Sequence, residues 1–301
     1  MNRLRFVIPA LLPAILLTGC AVNLSDRIES DYKAVSIDEK SEKTLEYRVY
    51  LPPQYDAESN REFPLLVYFH GGGGSHRTWG QEGGLGERLI PKMQDGEFGP
   101  FIVLAPSVGR LDVIAGESER VLFNEVIPNI RSQYRVNDTT IAFGHSMGGL
   151  SAMMLSLRHP DVFDAVAAAS PFAYDVSPFE PESEIEDFKQ TYGNSFYLNR
   201  WQSGVAGKFG SEQEFDSYSP FEQIRHLDRP LPFRLFLTTG TEDPMGLYPQ
   251  NRLLHEELER KGINHEFLVQ EGVAHTTIGD PRLYQWINQQ ANQLERTAGG
   301  R

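Results

Sequence analysis

Residues 139–150 constrain the fold of this chain more than any other stretch, because they join a strand, a sharp turn and a helix. A β-rich run ends there in Gly-x-Ser-x-Gly, and a helix-forming run follows at once. In so tight a turn the serine backbone is strained, and Gly144 and Gly148 lack the Cβ atoms that would clash around it. The pattern therefore predicts a nucleophile elbow that presents the Ser146 hydroxyl above the end of a sheet.

The remainder of the chain alternates short apolar runs with helical patterns. This alternation predicts an α/β fold with a mostly parallel central sheet and helices on both of its faces. The predicted strands are 45–51, 63–69, 101–105, the strand before the elbow, 163–169, 233–239 and 266–269. The predicted helices are 85–93, 117–134 (kinked at Pro128 or starting there), 150–157, 250–261 and 283–294.

Residues 172 to about 230 break the alternation, since they are rich in aromatic, proline, glycine and acidic residues and show no long periodic segment. We interpret them as an insertion over the active site within one domain that covers residues 41–301. Walls of a substrate pocket are expected here and next to the glycine run. The candidates are Trp79, Phe172 and Trp201.

Three side chains follow strand ends in the order serine, acid, histidine, which a Ser-acid-His triad on such a sheet requires. Ligands of an α/β sheet bind beyond the carboxyl ends of its strands, so these side chains are expected to meet. The acid follows the penultimate predicted strand. Asp243 is preferred, because a short side chain held before Pro244 has a better defined position, and Glu242 is the alternative. His275 follows the last predicted strand and would act as the base for Ser146.

An oxyanion hole is predicted from two backbone segments. Four glycines follow His70 directly after a buried strand, and their N–H groups can approach a ligand closely, so Gly72 is taken as one donor and Met147 as the other. His70 and His145 are expected to shape the turns rather than to transfer protons. The other histidines are interpreted as surface or structural residues: His76, His159, His226, His255 and His265.

The first nineteen residues indicate export. A positive start, a short apolar run and small residues describe a secretory signal, whose apolar part is too short to span a bilayer. Residues 17–20 resemble the lipobox of bacterial lipoproteins, which implies cleavage before Cys20 and lipidation of its thiol. Residues 20–40 are predicted to form a tether leading to an entry strand. Because Ala21 is not Asp, enterobacterial-type sorting would favour the outer membrane.

Composition and motifs exclude several classes of function. The net charge of −13 argues against nucleic-acid binding, which requires a basic face. There is no His-Glu-x-x-His motif, no cysteine cluster and no dense acidic loop, so no metal is expected. The expected partners are a small ester substrate and, through Cys20, a membrane.

Taken together, the motifs resemble the esterase D-like branch of the α/β-hydrolases, which includes S-formylglutathione hydrolases, feruloyl esterases and enterochelin esterase-type enzymes. The segments that carry the resemblance are 47–55, 65–74 with Trp79, 125–128 with Tyr134, 144–149, and the loops of Asp243 and His275. The resemblance implies an α/β-hydrolase fold and cofactor-free hydrolysis of carboxylic esters or thioesters. It also implies roles as nucleophile, base and acid for Ser146, His275 and Asp243, with oxyanion donors at Met147 and in residues 71–73.

Three functions are therefore compared. A lipid-anchored serine esterase is preferred, and the apparent export argues against a role as a formylglutathione hydrolase, which is usually cytosolic. A serine peptidase of the prolyl oligopeptidase type shares the triad order, although no propeller repeats precede the domain. A non-catalytic lipoprotein with a hydrolase fold is the third possibility, because a fold alone does not establish activity.

Overall fold

The structure is a computed structural model that describes residues 30–37, 42–192, 195–204 and 208–298. Its centre is an eight-stranded sheet with the order β1-β2-β4-β3-β5-β6-β7-β8. The pairs β1–β2 and β2–β4 are antiparallel and the others are parallel. The strands are β1 (Asp31–Ser36), β2 (Thr44–Tyr50), β3 (Phe63–Phe69), β4 (Ile102–Ser107), β5 (Val136–His145), β6 (Ala165–Ala169), β7 (Arg234–Gly240) and β8 (His265–Gln270).

Helices cover both faces of this sheet, as the sequence predicts. The ten α-helices of the described residues are α1 (Leu85–Gln94), α2 (Glu117–Val121), α3 (Ile127–Gln133), α4 (Met147–Arg158), α5 (Glu182–Tyr192), α6 (Ser195–Gly204), α7 (Glu212–Tyr218), α8 (Pro220–Arg225), α9 (Leu247–Arg260) and α10 (Pro281–Ala298). One hydrophobic cluster contains α3, α4 and α9, and a second contains α1 and α10. Every residue of β3, β4 and β6 is buried, as expected for central strands covered on both sides. The predicted fold class is therefore confirmed.

The helix predicted over 117–134 is divided in three. A π-helical segment, Leu122–Val126, separates α2 from α3, and Pro128 lies in the first turn of α3. The entry strand is β1, which lies inside the segment 20–40 and pairs with β2. The predicted signal peptide and Cys20 lie outside the described residues.

The segment 172–230 contains four helices, α5 to α8, where the sequence shows no long periodic pattern. The pattern is weak because α5 buries none of its residues and α7 and α8 are only seven and six residues long. Serine caps start the two short helices: Ser211 accepts the N–H of Glu214, and Ser219 accepts that of Glu222. Both short helices pack on α4. No helix of the described residues combines the length and apolar character that a bilayer span needs.

A buried carboxylate fastens this segment to the rest of the chain. Glu119 of α2 accepts hydrogen bonds from Arg158 (2.7 Å), from His159 (2.7 Å) and from the Tyr218 hydroxyl of α7. Burial raises the pKa of the Glu119 carboxyl, but these three donors outweigh it and lower that pKa to about 2. Glu119 is therefore ionised at neutral pH and ties α7 to α4 and α2.

Candidate active site

Ser146 occupies the strained turn between β5 and α4 that the Gly-x-Ser-x-Gly motif predicts. Its backbone has φ 59° and ψ −122°, a conformation that a serine rarely adopts. Two hydrogen bonds hold it there: the Ser146 N–H donates to the Ala169 carbonyl (2.9 Å), and the Phe172 N–H donates to the Ser146 carbonyl (3.0 Å). The turn is thus fixed by the end of β6, and strain of this kind is typical of functional positions.

The glycines on either side of Ser146 are required by backbone contacts. A Cβ at Gly144 would lie 2.1 Å from the Gly148 carbonyl oxygen, and one at Gly148 would lie 2.0 Å from the Phe69 carbonyl oxygen. Neither position can hold a larger residue unless the end of β3 or the start of α4 moves. The motif therefore follows from the packing of β3, β5 and α4 against one another.

The glycine run after β3 lies beside the first residue of α4. A Cβ at Gly72 would be 3.0 Å from the Met147 sulfur. Within the described part of the chain, Gly73 donates its N–H to the Arg110 carbonyl (2.6 Å), whereas no acceptor is found for the N–H groups of Gly72 and Met147. Two neighbouring backbone donors without an acceptor can receive an oxyanion.

His70 holds the glycine run in place. Its Nδ1 donates to the Gly71 carbonyl (2.9 Å), which leaves Nε2 to accept the Ser107 hydroxyl (2.9 Å). Burial lowers the pKa of His70, so the ring is neutral and keeps this tautomer at neutral pH. The structure thus gives His70 the turn-shaping position that the sequence predicts.

Asp243 and His275 meet beyond the ends of β7 and β8. His275 Nδ1 donates to Asp243 Oδ2 at 2.6 Å, and Met245 N–H donates to Asp243 Oδ1 at 2.9 Å. The Asp243 side chain has no exposed surface, whereas Glu242 is exposed. Of the two candidate acids, the structure therefore brings Asp243 to the histidine.

The two loops come together because their backbones pair. Glu242 donates its N–H to the Val273 carbonyl (3.0 Å), and Thr241 donates to the Gln270 carbonyl (3.1 Å). A Cβ at Gly240 would be 2.2 Å from the Val273 oxygen, so only glycine permits this approach. These contacts fix the position from which Asp243 reaches the imidazole.

His275 Nε2 is buried, and no atom of the described residues forms a hydrogen bond with it. The residue His275 lines the same pocket as Ser146. A serine–histidine contact in an unliganded site is often long and shortens when substrate binds. The site therefore has a paired acid and histidine, a strained serine and two unpaired backbone donors around one cavity.

His145 packs against the candidate base, with its ring 4.6 Å from that of His275. Burial and the nearby His275 lower the pKa of His145 to about 4, although a hydrogen bond to the His275 backbone and the Asp243 charge oppose the shift. A neutral His145 adds no positive charge beside His275. This agrees with the prediction that His145 shapes the site without transferring protons.

The pocket over Ser146 has a volume of about 510 Å³, which is within the usual range for small-ligand sites. Phe172 lines it, as predicted. The prediction for Trp79 was wrong, because its side chain is fully buried and packs edge-on against Tyr68. It belongs to the hydrophobic cluster that contains α1 and α10, whereas Phe172 belongs to the cluster of α3, α4 and α9. The Trp201 side chain lies outside the described atoms, so its assignment to the pocket stays a prediction.

Several pocket residues were not predicted from the sequence. Leu111 follows β4, Met245 follows the acid, and Tyr197, Arg200 and Ser203 belong to α6 of the insertion. The spacing of the last three, i, i+3 and i+6, places them along one side of a helix. That spacing is present in the sequence, but it indicates a shared helix face only once the bounds of α6 are known. Among the described residues no group of three His, Cys, Asp or Glu side chains could hold a metal ion.

Most of the chain matches one protein-family model. The family model named Esterase, whose description is "Putative esterase", matches residues 39–277. An endo-1,4-beta-xylanase/feruloyl esterase of Xylanibacter ruminicola is 29% identical over 141 residues. That match covers 42% of this chain but only 19% of the relative.

Solved structures share the fold. A ferulic acid esterase superposes with a TM-score of 0.62 at 20% identity, over 88% of this chain and 97% of the other. An S-formylglutathione hydrolase from Agrobacterium tumefaciens superposes with a TM-score of 0.59 at 16% identity, over 90% of this chain and 97% of the other. At these identities the likeness concerns the fold, and the argument for chemistry rests on the site itself.

Proposed function

This chain belongs to the esterase family, whose model spans most of its length, and we propose that it is a serine hydrolase that cleaves carboxylic esters or thioesters through an acyl-enzyme. The observation that carries the proposal is the 2.6 Å hydrogen bond between His275 Nδ1 and Asp243, made beside a serine in strained backbone. A buried carboxylate on Nδ1 fixes the tautomer in which Nε2 is free to accept a proton.

The proposed reaction has two halves. Ser146 Oγ attacks the carbonyl carbon while His275 Nε2 takes its proton, and the Gly72 and Met147 N–H groups receive the developing oxyanion. The imidazolium, stabilised by Asp243, then protonates the departing alcohol or thiol, and an acyl group stays on Ser146. Water next attacks the acyl carbon while His275 Nε2 takes one of its protons. The bond between the acyl carbon and Ser146 Oγ then breaks, the imidazolium returns the proton to Oγ, and the acid leaves, so that serine and imidazole are back in their starting states.

Kinetics of serine variants test this proposal. Ser146→Ala is expected to lower hydrolysis of p-nitrophenyl acetate on the order of 10⁶-fold, as for other triad nucleophiles. Ser132→Ala is the control and should keep the wild-type rate, since this serine is exposed, donates to the Asn129 carbonyl at 2.9 Å and does not line the pocket. Equal rates for Ser146→Ala and the wild type would refute the assignment. Faster turnover of p-nitroanilides than of matched esters would favour the peptidase alternative.

We further propose that the chain is exported and anchored by lipid on Cys20, on the periplasmic side of the outer membrane. The support is the sequence alone: a signal-like start, the lipobox-like residues 17–20, and one cysteine in the whole chain. Residues between Cys20 and β1 would tether the hydrolase to the bilayer. Labelled palmitate should enter the wild type and not Cys20→Ala, and absence of label from both would end this proposal.

A further inference from the structure

Arg200 faces the pocket without an acidic partner. It is exposed on α6, lines the cavity that contains Ser146 and His275, and makes no ion pair within the described residues. The chain has 41 acidic against 28 basic residues, so carboxylates are abundant. Arg225, on the same insertion, contacts three of them: Asp175, Glu222 and Glu257. Arg200 thus presents to the pocket a guanidinium whose charge no described carboxylate offsets.

The remainder of the pocket is mostly uncharged. Leu111, Phe172, Tyr197 and Met245 supply apolar surface, and Arg200 is the one permanently charged side chain among the described residues that line the cavity. A ligand that fits such a surface has an apolar body and one anionic end. The planar guanidinium matches a carboxylate with two parallel hydrogen bonds, which lysine cannot provide in that geometry.

We propose that Arg200 selects esters that carry a carboxylate in addition to the scissile ester. The inference rests on the proposed esterase function and narrows its substrate class. The carboxylate would pair with Arg200 while the ester carbonyl lies against Ser146. A local positive charge also raises the concentration of an anionic substrate at a site that belongs to a protein of net charge −13.

Matched pairs of esters test the selection on each half of the substrate. On the acyl side, mono-p-nitrophenyl glutarate is compared with p-nitrophenyl valerate, which has the same leaving group and chain length. On the alcohol side, 4-acetoxybenzoate is compared with its methyl ester, and release of acetate is followed. The spontaneous rate of each ester is subtracted before kcat/KM is calculated, and the readout is the kcat/KM of the anionic ester divided by that of its neutral partner.

Three variants separate the guanidinium from simple charge. Arg200→Gln should lower the anionic-to-neutral ratio of at least one pair by about 10- to 100-fold, as expected for a lost charge-assisted hydrogen bond. Arg200→Lys should retain part of the preference for the anionic ester, because the positive charge stays but the paired hydrogen bonds are lost. Arg229→Gln is the matched control, because Arg229 is also exposed and without an ion pair among the described residues but does not line the pocket. It should leave the ratio at the wild-type value.

The outcomes are distinct for the two proposals. A wild-type preference for an anionic ester that falls in Arg200→Gln and survives in Arg229→Gln supports the inference. Hydrolysis of neutral esters with no such preference, or a ratio unchanged in Arg200→Gln, overturns it and leaves the esterase proposal standing. If no ester is turned over, the esterase proposal fails. Calorimetric binding of 4-acetoxybenzoate to the Ser146→Ala protein, with and without Arg200→Gln, then decides on Arg200: weaker binding without the guanidinium supports selection, and equal binding refutes it.

Discussion

Replacing Asp243 with asparagine tests the arrangement of the site with little change of shape. The Asp243 Oδ1 atom accepts the Met245 N–H at 2.9 Å, and an asparagine carbonyl oxygen can keep that hydrogen bond and the loop with it. The amide nitrogen would then face His275 Nδ1, which stands 2.6 Å from Oδ2 in the wild type. Two donors cannot share that contact, so the imidazole must place its proton on Nε2.

The magnitude follows from this tautomer change. A histidine protonated on Nε2 cannot accept the Ser146 proton, and the imidazolium also loses the buried negative charge beside it. Losses of this kind lower kcat by about 10⁴-fold, which corresponds to about 5.4 kcal/mol of transition-state stabilisation. Glu242→Gln is the matched control. Because the Glu242 carboxylate is exposed, this substitution should lower kcat by no more than about twofold.

The assay is kcat/KM for p-nitrophenyl acetate between pH 5 and pH 9, with urea unfolding of each variant to show that it is folded. We expect Asp243→Asn to be folded and slow at every pH below the onset of hydroxide-dependent hydrolysis. Activity within tenfold of the wild type in Asp243→Asn, or a large loss in Glu242→Gln, would refute the assignment of the acid.

Three further predictions concern stability. Gly148→Ala should lower the free energy of unfolding by about 3 kcal/mol, because its Cβ would lie 2.0 Å from a carbonyl oxygen of β3; Gly279→Ala, with nothing within 4 Å of the added atom, is the control. His145→Asn should reduce the loss of unfolding free energy that the wild type shows between pH 7 and pH 5. Since the buried ring has its pKa lowered from 6.5 to about 4, the wild type should lose about 2 kcal/mol from this group between pH 7 and pH 5, as the unfolded chain takes up the proton. Urea titrations at both pH values check this, and identical curves for the two proteins would contradict it. Glu119→Gln should lower the free energy of unfolding by roughly 2 kcal/mol at pH 7 and speed proteolysis near Tyr218. In the wild type this stabilisation should be present above pH 4.5 and be lost as the pH falls from 4.5 towards 2. An unchanged cleavage rate would show that Glu119 does not hold α7 in place.

Local signals in the sequence predict the elements that build the site. Buried strands are continuous apolar runs, so β3 is predicted at its observed bounds, Phe63–Phe69. The nucleophile elbow can also be predicted from the sequence, because backbone atoms close to Gly144 and Gly148 exclude any side chain and so require glycine at both positions. The choice of Asp243 over Glu242 also agrees with the structure, because the shorter side chain is the one buried against the histidine.

Contacts made between distant segments account for the misses. Trp79 follows the glycine run by only a few residues, but its indole is fully buried and packs with Tyr68 in the cluster that contains α1 and α10. Tyr197 and Arg200 reach the pocket only because α6 lies over it. No local pattern shows where an insertion is placed, because its position depends on anchors such as the hydrogen bond from Tyr174 to the Met245 carbonyl (2.6 Å).

The most direct test of the central claim is labelling of the purified, folded protein with a fluorophosphonate probe, followed by peptide mapping. Reaction requires an activated serine, a base and an oxyanion hole in one place. The account predicts a single adduct on Ser146, greatly slowed by Asp243→Asn and absent from Ser146→Ala. A folded protein that forms no adduct, or forms one on another serine, would contradict it and would point to a hydrolase fold kept for binding.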